Sequence, residues 1–293
     1  MKSKSRLKRA TYGDWIIVFL MLVLIVACIL PVMSVIATSF SSHDAIMRRQ
    51  VSFWPVGFQI DSYMDVLNTP RFMRSMAWTG ILTGIVVVVN LIMTVLAAYP
   101  LTYDSLKGRK IITFYIVFTM LFGAGLIPNF VLFRDLNLLN NPLVLILPGM
   151  ISVFNMIIMR NFFFGIPDSL KESAEIDGAS PFTVLIKIYL PLSTPVLATI
   201  GLFYAVGRWN GFQDALFFLQ GAPEWHPIQL LLYNIINNLT AIDAMDPGAT
   251  APPGWSESVQ NAAIVIAMVP ILCVYPFAQR YFVKGATLGA VKG

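Results

Sequence analysis

The chain has 293 residues, of which 57% are hydrophobic and only 12% charged. Soluble domains carry about a quarter charged residues, so this balance argues against a soluble enzyme. The net charge of +5 would suit a nucleic-acid partner if it lay on one folded face. The basic residues instead flank long apolar runs, where they act as topology signals, and no nucleic-acid partner is expected.

In chain order, a basic stretch from Met1 to Arg9 precedes an apolar run that begins at Trp15 and continues past Cys28 to Ala37. That run is far longer than the roughly 7–15-residue core of a signal peptide. Despite the lipoprotein-like Ile25-Val26-Ala27-Cys28, it is expected to remain as a transmembrane helix. Runs of about 18 or more apolar residues, the length that crosses roughly 30 Å of hydrocarbon, recur along the chain. They predict six spans at Trp15–Ala37, Ser75–Tyr99, Ile111–Phe133, Leu143–Phe164, Leu192–Leu219 and Ala262–Phe282. The expected fold class is an all-α membrane protein, with an inner segment 1–14, a six-span domain 15–284 and a tail 285–293. Cys28 and Cys273 fall inside the first and last runs and are expected to be packing residues, which leaves neither a disulfide framework nor a metal site.

With the amino terminus inside, the inner segments hold Lys2, Lys4, Arg6, Lys8, Arg9, Lys107, Arg109, Lys110, Arg160, Lys171, Lys187, Arg280, Lys284 and Lys292. The outer ones hold only Arg48, Arg49, Arg71, Arg74 and Arg134. The positive-inside rule then puts both termini in the cytoplasm. Two outer connections, Thr38–Arg74 and Gln220–Asn261, are long enough to hold structure. The second lacks Lys and Arg and carries Glu224, Trp225, Asp243, Asp246, Trp255, Glu257 and a proline-rich Pro247–Gly254 stretch. It reads as an exposed docking or lid segment, the alternative being a simple tether. Phe162-Phe163-Phe164 and Phe217-Phe218 lie at span ends and read as interfacial anchors. Gly80 and Gly84 give the second span a small-xxx-small face for close helix packing.

Raw material for catalysis is scarce. The two histidines, His43 and His226, both fall in outer loops, and no HExxH, CxxC or GxSxG pattern occurs. No GxxxxGK[ST] phosphate loop is present either, so any ATP must bind another chain. Asp214, near the outer end of the fifth span, is the one carboxylate approaching membrane depth, which disfavours a proton-coupled carrier.

The segment Pro167–Pro191, between spans four and five, is polar and helix-rich. Ser169 to Ile176 is expected to form a short acidic helix, with Gly178 supplying the positive φ that ends it. Ser180 and Pro181 then provide the N-cap and first residue of the next helix. Such an elbow is suited to sit in a cleft of a cytoplasmic partner and pass a rigid-body movement to the spans.

Within it, Glu172-Ser173-Ala174, Asp177-Gly178-Ala179 and Ile188-Tyr189-Leu190-Pro191 resemble the EAA loop of permease subunits of bacterial ABC importers, departing at Ser173, where the motif has alanine. The resemblance implies the type I importer permease fold, with a coupling helix in this loop that docks on an ATPase subunit. It makes Glu172, Ser173, Ala174, Asp177, Gly178, Ala179 and Pro191 the candidate coupling residues. The implied partners are a homologous second permease, two ATPase subunits that carry ATP and Mg, and an extracytoplasmic sugar-binding protein; no cofactor is expected in this chain, and no catalytic activity. Trp209-Asn210-Gly211-Phe212 and the ending Tyr275-Pro276-Phe277 to Gly293 resemble the maltose-type carbohydrate permeases. Pro270-Ile271-Leu272 with Tyr275-Pro276-Phe277 is similar to the branch serving complex oligosaccharides, pectin-derived and alginate-type ones included. The alternatives are an ABC permease for a non-sugar solute and a membrane-embedded enzyme acting on lipid-linked sugars. The latter needs clustered Asp, His or Arg at one membrane face, which the sequence lacks.

Arg208 sits inside the fifth span, where a charge costs about 2.5–3.5 kcal/mol at a helix centre, so it is expected to face the bundle interior or a water-filled cavity. Arg208, Trp209, Asn210 and Gln213 form the candidate substrate pathway. A role in interhelical hydrogen bonding is the equal alternative for this patch, with Asn210 and Gln213 placed to pair with Arg208.

Overall fold

The structure, a computed structural model, describes residues 12–237 and 257–290, with the backbone alone from residue 275 onward. The expected inner segment up to Thr11, the stretch holding Asp243, Asp246, Pro247–Gly254 and Trp255, and the last residues of the tail lie outside the described residues. Among the described residues every regular element is helical, because in hydrocarbon a helix satisfies its own backbone groups. Three helical stretches, Tyr12–Ser39, Pro70–Thr102 and Glu257–Val274, are long and apolar enough to cross a membrane. Three bent helix pairs raise the number to six if each pair counts as one span. By contact the chain divides into two units, Met1–Thr69 with Ile235–Ile266, and Pro70–Asn234 with Ala267–Gly293.

In the first unit, α1 (Tyr12–Ser39) carries Pro31 in its interior. None of its most apolar window is buried within the chain, so it is apolar all round, as a lipid-embedded helix must be. The connection that follows, expected on the outer side, is folded. The Ser41 hydroxyl donates to Ala37 O at 2.7 Å and accepts from Val56 N–H at 3.0 Å, and Ser42 caps α2 (His43–Met47). The Phe40 ring stacks on Phe58 at 5.4 Å and on Tyr63 of α3 (Asp61–Leu67) at 4.7 Å, and the Tyr63 and Ser39 hydroxyls are 2.7 Å apart.

The second unit is built around α4 (Pro70–Ala98), against which α7 (Val153–Phe163) and α11 (Thr194–Asn210) pack. One core cluster joins Val95, Ala98 and Tyr99 to Met156, Met159, Phe163, Leu185, Tyr189, Ile200 and Tyr204. A second joins Leu82 and Val86 to Phe133, Val144, Leu145, Ala215, Phe218 and Leu230. Among the described residues of this chain no helix makes the close approach expected at Gly80 and Gly84, where a Cβ would meet nothing within 4 Å. At Gly201 of α11 it would come within 3.3 Å of Leu91 Cδ1.

The expected unbroken spans three, four and five are interrupted. The third consists of α5 (Arg109–Leu121) and α6 (Leu126–Asp135), which meet at 111°. Gly125 at φ +86° and Pro128 in the following turn produce the break. At 13 residues, α5 alone extends about 20 Å and falls short of a full crossing. In the fourth, Pro148-Gly149 reduces the first half to 3₁₀ turns, Pro142–Leu145 and Leu147–Gly149, bent 43° from α7. Neighbouring side chains satisfy the groups this frees. Asn90 Nδ2 donates to Gly149 O at 2.9 Å, and Ser152 N–H donates at 3.1 Å to the Tyr204 hydroxyl, which lies 2.7 Å from that of Thr94.

Between spans four and five lies α8 (Asp168–Ile176). After it, α9 (Pro181–Val184), a π-helical stretch Leu185–Tyr189 and α10 (Leu190–Leu192) run on as one helix, which meets α11 at 82°. The span then stops at Gly211, and α12 (Gln213–Phe218) continues it as a separate short helix. The last span lies on α14 (Glu257–Ala290), which is longer than expected at both ends.

These breaks correct three further expectations. Phe163 and Phe218 are not interfacial anchors: both are buried. The Phe163 ring meets Tyr99 and Tyr189 edge-on, and the Phe218 ring meets Phe133. The described part of the connection Gln220–Asn261 is no exposed lid, since Trp78 Nε1 donates to Trp225 O at 2.8 Å and Ile228 N–H, opening α13 (Ile228–Ile236), donates to the Thr79 hydroxyl at 2.8 Å. Cys28 and Cys273 are exposed on the chain's own surface and are not packing residues within it, because the faces that carry them look outward from helices that the chain does not surround.

His226 is buried just before α13, with Nε2–H donating to Leu219 O at 2.8 Å and Nδ1 enclosed without a hydrogen-bond partner. Burial pushes its pKa below the ordinary 6.5, and the charges of Arg71 and Arg74 add to this, against the Leu219 bond and Glu224. The folded state therefore binds fewer protons than the unfolded one, and the stability due to the neutral ring is complete above about pH 6.5 and lost as the pH falls. Thermal unfolding of the detergent-purified protein is expected to show a melting temperature that drops on acidification below about pH 6.5, with a weaker drop in His226→Gln.

Candidate functional site

The elbow forms as its residues dictate. Asp168 lies in the first turn of α8, where a carboxylate complements the helix dipole. At the other end Gly178 takes φ +80°. Its N–H donates to Glu175 O at 3.1 Å, and Ala179 N–H donates to Ala174 O at 2.9 Å. These are the paired bonds of a Schellman cap with glycine at the left-handed position. Ser180 then caps α9, accepting from Thr183 N–H at 3.2 Å, and Pro181 occupies the first turn. The helix, stop and restart expected from the sequence are all present, α8 beginning one residue earlier than expected.

The candidate coupling residues divide by face. Glu172, Ser173, Asp177, Gly178 and Pro191 are exposed, whereas Ala174 and Ala179 are half-buried against the core cluster of the second unit. The departure at Ser173 falls on the exposed side, where a hydroxyl needs no buried partner. Ile176 and Phe182 also stand exposed at the tip, at 86% and 62%, an apolar pair that sequence reasoning did not single out. Its signal was present in the sequence: two large apolar residues flanking an Asp-Gly turn.

The patch in span five does not act as a unit. Arg208 is buried, and its guanidinium forms a two-pronged pair with Asp214, Nη1 to Oδ2 at 2.5 Å and Nη2 to Oδ1 at 3.1 Å. It also donates to Leu145 O at 3.3 Å and to Gly211 O at 2.8 Å. Arg208 thus bridges the end of α11, the start of α12 and the irregular half of span four. Gly211 is small for this reason, since a Cβ there would lie 3.1 Å from Arg208 Nη2. Trp209 is buried, its indole N–H donating to Ala267 O at 3.3 Å. Asn210 and Gln213 do not pair with Arg208. Asn210 bonds to Val206 O of its own helix, and both side chains are exposed. Of the four patch residues, these two are the ones exposed on the surface of the chain. The Asp214 pairing escaped sequence reasoning because the six-residue spacing brings the two together only once Gly211 ends the helix.

Breaking a buried pair by removing one partner costs about 3–5 kcal/mol, because the remaining charge is stranded. Asp214→Ala is expected to lower the yield of folded protein and its melting temperature in detergent, and adding Arg208→Met to recover little of the loss, because the Leu145 and Gly211 carbonyls then lose their donor as well. Equal stability of Asp214→Ala and the parent would show that the fork carries no weight.

Comparison with known proteins places this geometry. Residues 91–287 match the family described as binding-protein-dependent transport system inner membrane component. The chain is 40% identical over 282 residues, 96% of this chain and 98% of the other, to the polygalacturonan/rhamnogalacturonan transport system permease protein YtcP of Bacillus subtilis (strain 168). It is 42% identical over 267 residues, 90% of each chain, to protein LplC of the same organism. A crystal structure of a bacterial ABC transporter involved in the import of the acidic polysaccharide alginate superposes with a TM-score of 0.82 at 34% identity, over 94% of this chain and 99% of that one. The elbow and all the broken spans fall within the matched residues, and the chain belongs to the family of binding-protein-dependent transport system inner membrane components.

Proposed function

We propose that this permease carries acidic oligosaccharides, of the uronate type found in pectin and alginate, across the cytoplasmic membrane. The observation that carries this reading is the likeness, over nearly the whole chain, to permeases named for polygalacturonan/rhamnogalacturonan and to an alginate importer. It works with a homologous second permease and two ATPase subunits that bind ATP and Mg, and an extracytoplasmic binding protein delivers the sugar. Both termini and the elbow lie in the cytoplasm, in keeping with the excess of Lys and Arg there.

In this cycle the exposed face of α8, with Glu172, Ser173, Ile176 and Asp177, rests in a cleft of the ATPase. ATP-driven closure of the ATPase pair carries the elbow with it, and the helix Pro181–Leu192 passes the movement to α11 through the 82° bend. The bend converts displacement of the elbow into rotation of the span. At the outer end, Asn210 and Gln213 offer amide groups to sugar hydroxyls, while Arg208 and Trp209 hold the helix end in place. This chain contributes positioning and a path, and hydrolysis takes place on its partners.

Two measurements test the reading. The complex reconstituted with its ATPases and binding protein is expected to import oligogalacturonate or oligoalginate and to leave neutral maltooligosaccharides outside; preference for the neutral sugars would overturn the substrate class. For the elbow, a β-branched residue at the left-handed position costs at least about 1–2 kcal/mol. Gly178→Val is therefore expected to abolish uptake while the chain still inserts, and Gly178→Asn, which tolerates positive φ, to keep much of it. ATPase activity stimulated as usual by loaded binding protein in Gly178→Val would remove the elbow from coupling.

A further inference from the structure

The inner end of the second span closes on an aromatic cluster to which none of the preceding roles applies. Pro100 opens a 3₁₀ turn, Pro100–Thr102, directly after Tyr99, and the turn brings Tyr103 back against it. The two rings meet edge-on, with centroids 5.3 Å apart, and their hydroxyls are 2.5 Å apart. The Tyr99 hydroxyl also lies 2.9 Å from Pro181 O, to which it can only donate. Its single proton is thereby committed, so Tyr103 is the donor within the tyrosine pair. The turn is itself tied down, by Arg160 Nε donating to Leu101 O at 3.4 Å and by the ion pair of Arg109 with Asp104 at 2.7 Å.

The same pair of tyrosines holds both arms of the elbow. Pro181 is the first residue of α9, the second arm. On the first arm, Lys171 of α8 places its ammonium 3.7 Å from the centre of the Tyr103 ring. Lys171 enters none of the ion pairs among the described residues, although Glu175 stands one turn away on its own helix. The aromatic face is therefore its partner. Tyr99 additionally meets Tyr189, at 5.1 Å, in the continuation of the second arm, and Phe163, at 6.2 Å, at the end of span four. Chain connectivity ties the elbow to spans four and five; the tyrosines add span two, which packs along α11.

We infer that Tyr99, Tyr103 and Lys171 are positioning residues that convey movement of the elbow to the second span, so that spans two, four and five turn together when the ATPases close. This rests on the proposed docking of the elbow. A displacement of α8 pulls on Tyr103 through the ammonium, a displacement of α9 pulls on Tyr99 through the Pro181 carbonyl, and both tyrosines flank the 3₁₀ turn that directly continues α4. Loosening either contact leaves the ATPases able to close while part of the movement is lost as slack between elbow and span. The expected defect is poor coupling and not poor assembly.

The test uses the complete reconstituted complex and reads sugar imported per ATP hydrolysed. Lys171→Met keeps the aliphatic stem and removes the charge, Tyr99→Phe keeps the ring and removes the bond to Pro181, and Lys171→Arg restores a cation that stacks on aromatic faces. Import per ATP is expected to fall roughly three- to tenfold in Lys171→Met and Tyr99→Phe, the range set by a cation–π or hydrogen-bond contact, and to return towards the parent value in Lys171→Arg. In parallel, Ile176→Cys in a background without the native cysteines is expected to cross-link to the ATPase with and without each variant. An unchanged ratio in Lys171→Met and Tyr99→Phe, with the cross-link intact, overturns the clamp. The same holds for a fall that tracks loss of assembled complex and is not restored by Lys171→Arg. Failure of the cross-link in the parent background overturns the docking of the elbow itself.

Discussion

The fork between Arg208 and Asp214 is the contact on which the interior of the second unit depends. This chain interrupts its helices within apolar spans, and an interruption buried there leaves carbonyl and amide groups that need partners from the protein. Arg208 meets that demand at one place by donating to Leu145 O and Gly211 O while its charge is balanced by Asp214. Asn90 and Tyr204 meet it at another, serving Gly149 O and Ser152 N–H. At these two places polar side chains lie where backbone has been broken, and that placement accounts for a charged residue in so apolar a chain.

What could be read from the sequence was what depends on neighbours in sequence. The elbow's caps follow from Gly178, Ser180 and Pro181 acting within a few residues of themselves, and the first, second and last spans follow from sustained apolar runs. The broken spans were less legible. Gly125 and Pro148-Gly149 are visible in the sequence, yet in a membrane segment glycine and proline are compatible with a continuous helix, so only the packing of other helices decides whether the chain bends. Burial was the least legible property of all. Lipid and protein interior are equally apolar, so Phe163 in the core and Phe164 beside it at the surface carry no difference in hydrophobicity that a sequence pattern could reveal. For the same reason the close approach within this chain sits at Gly201 instead of Gly80, two glycines in similar surroundings by composition.

The family's loop motif gains a physical reading from the two faces of the elbow. Its second alanine, Ala174, and the alanine after the glycine, Ala179, face packed neighbours, where a larger side chain would lift the elbow from its seat. The position of the departure, Ser173, looks outward. Small residues on one side set how closely the elbow seats against its own chain, and the exposed Ile176 and Phe182 on the other side are free to engage another chain. The two faces of the elbow are thereby separate, one seated on its own chain and one left apolar and exposed.

The unburied state of α1 has a consequence for how the chain comes to be a membrane protein. Within this chain no side chain interlocks with the apolar window of α1, so its entry into the bilayer needs nothing from the later spans and can take place during synthesis before they exist. The information it carries is one of composition and length. Exchanges among leucine, valine, isoleucine and methionine along it are interchangeable spellings of the same instruction, whereas α4 and α11, which interlock through Gly201 and Leu91, carry theirs in shape.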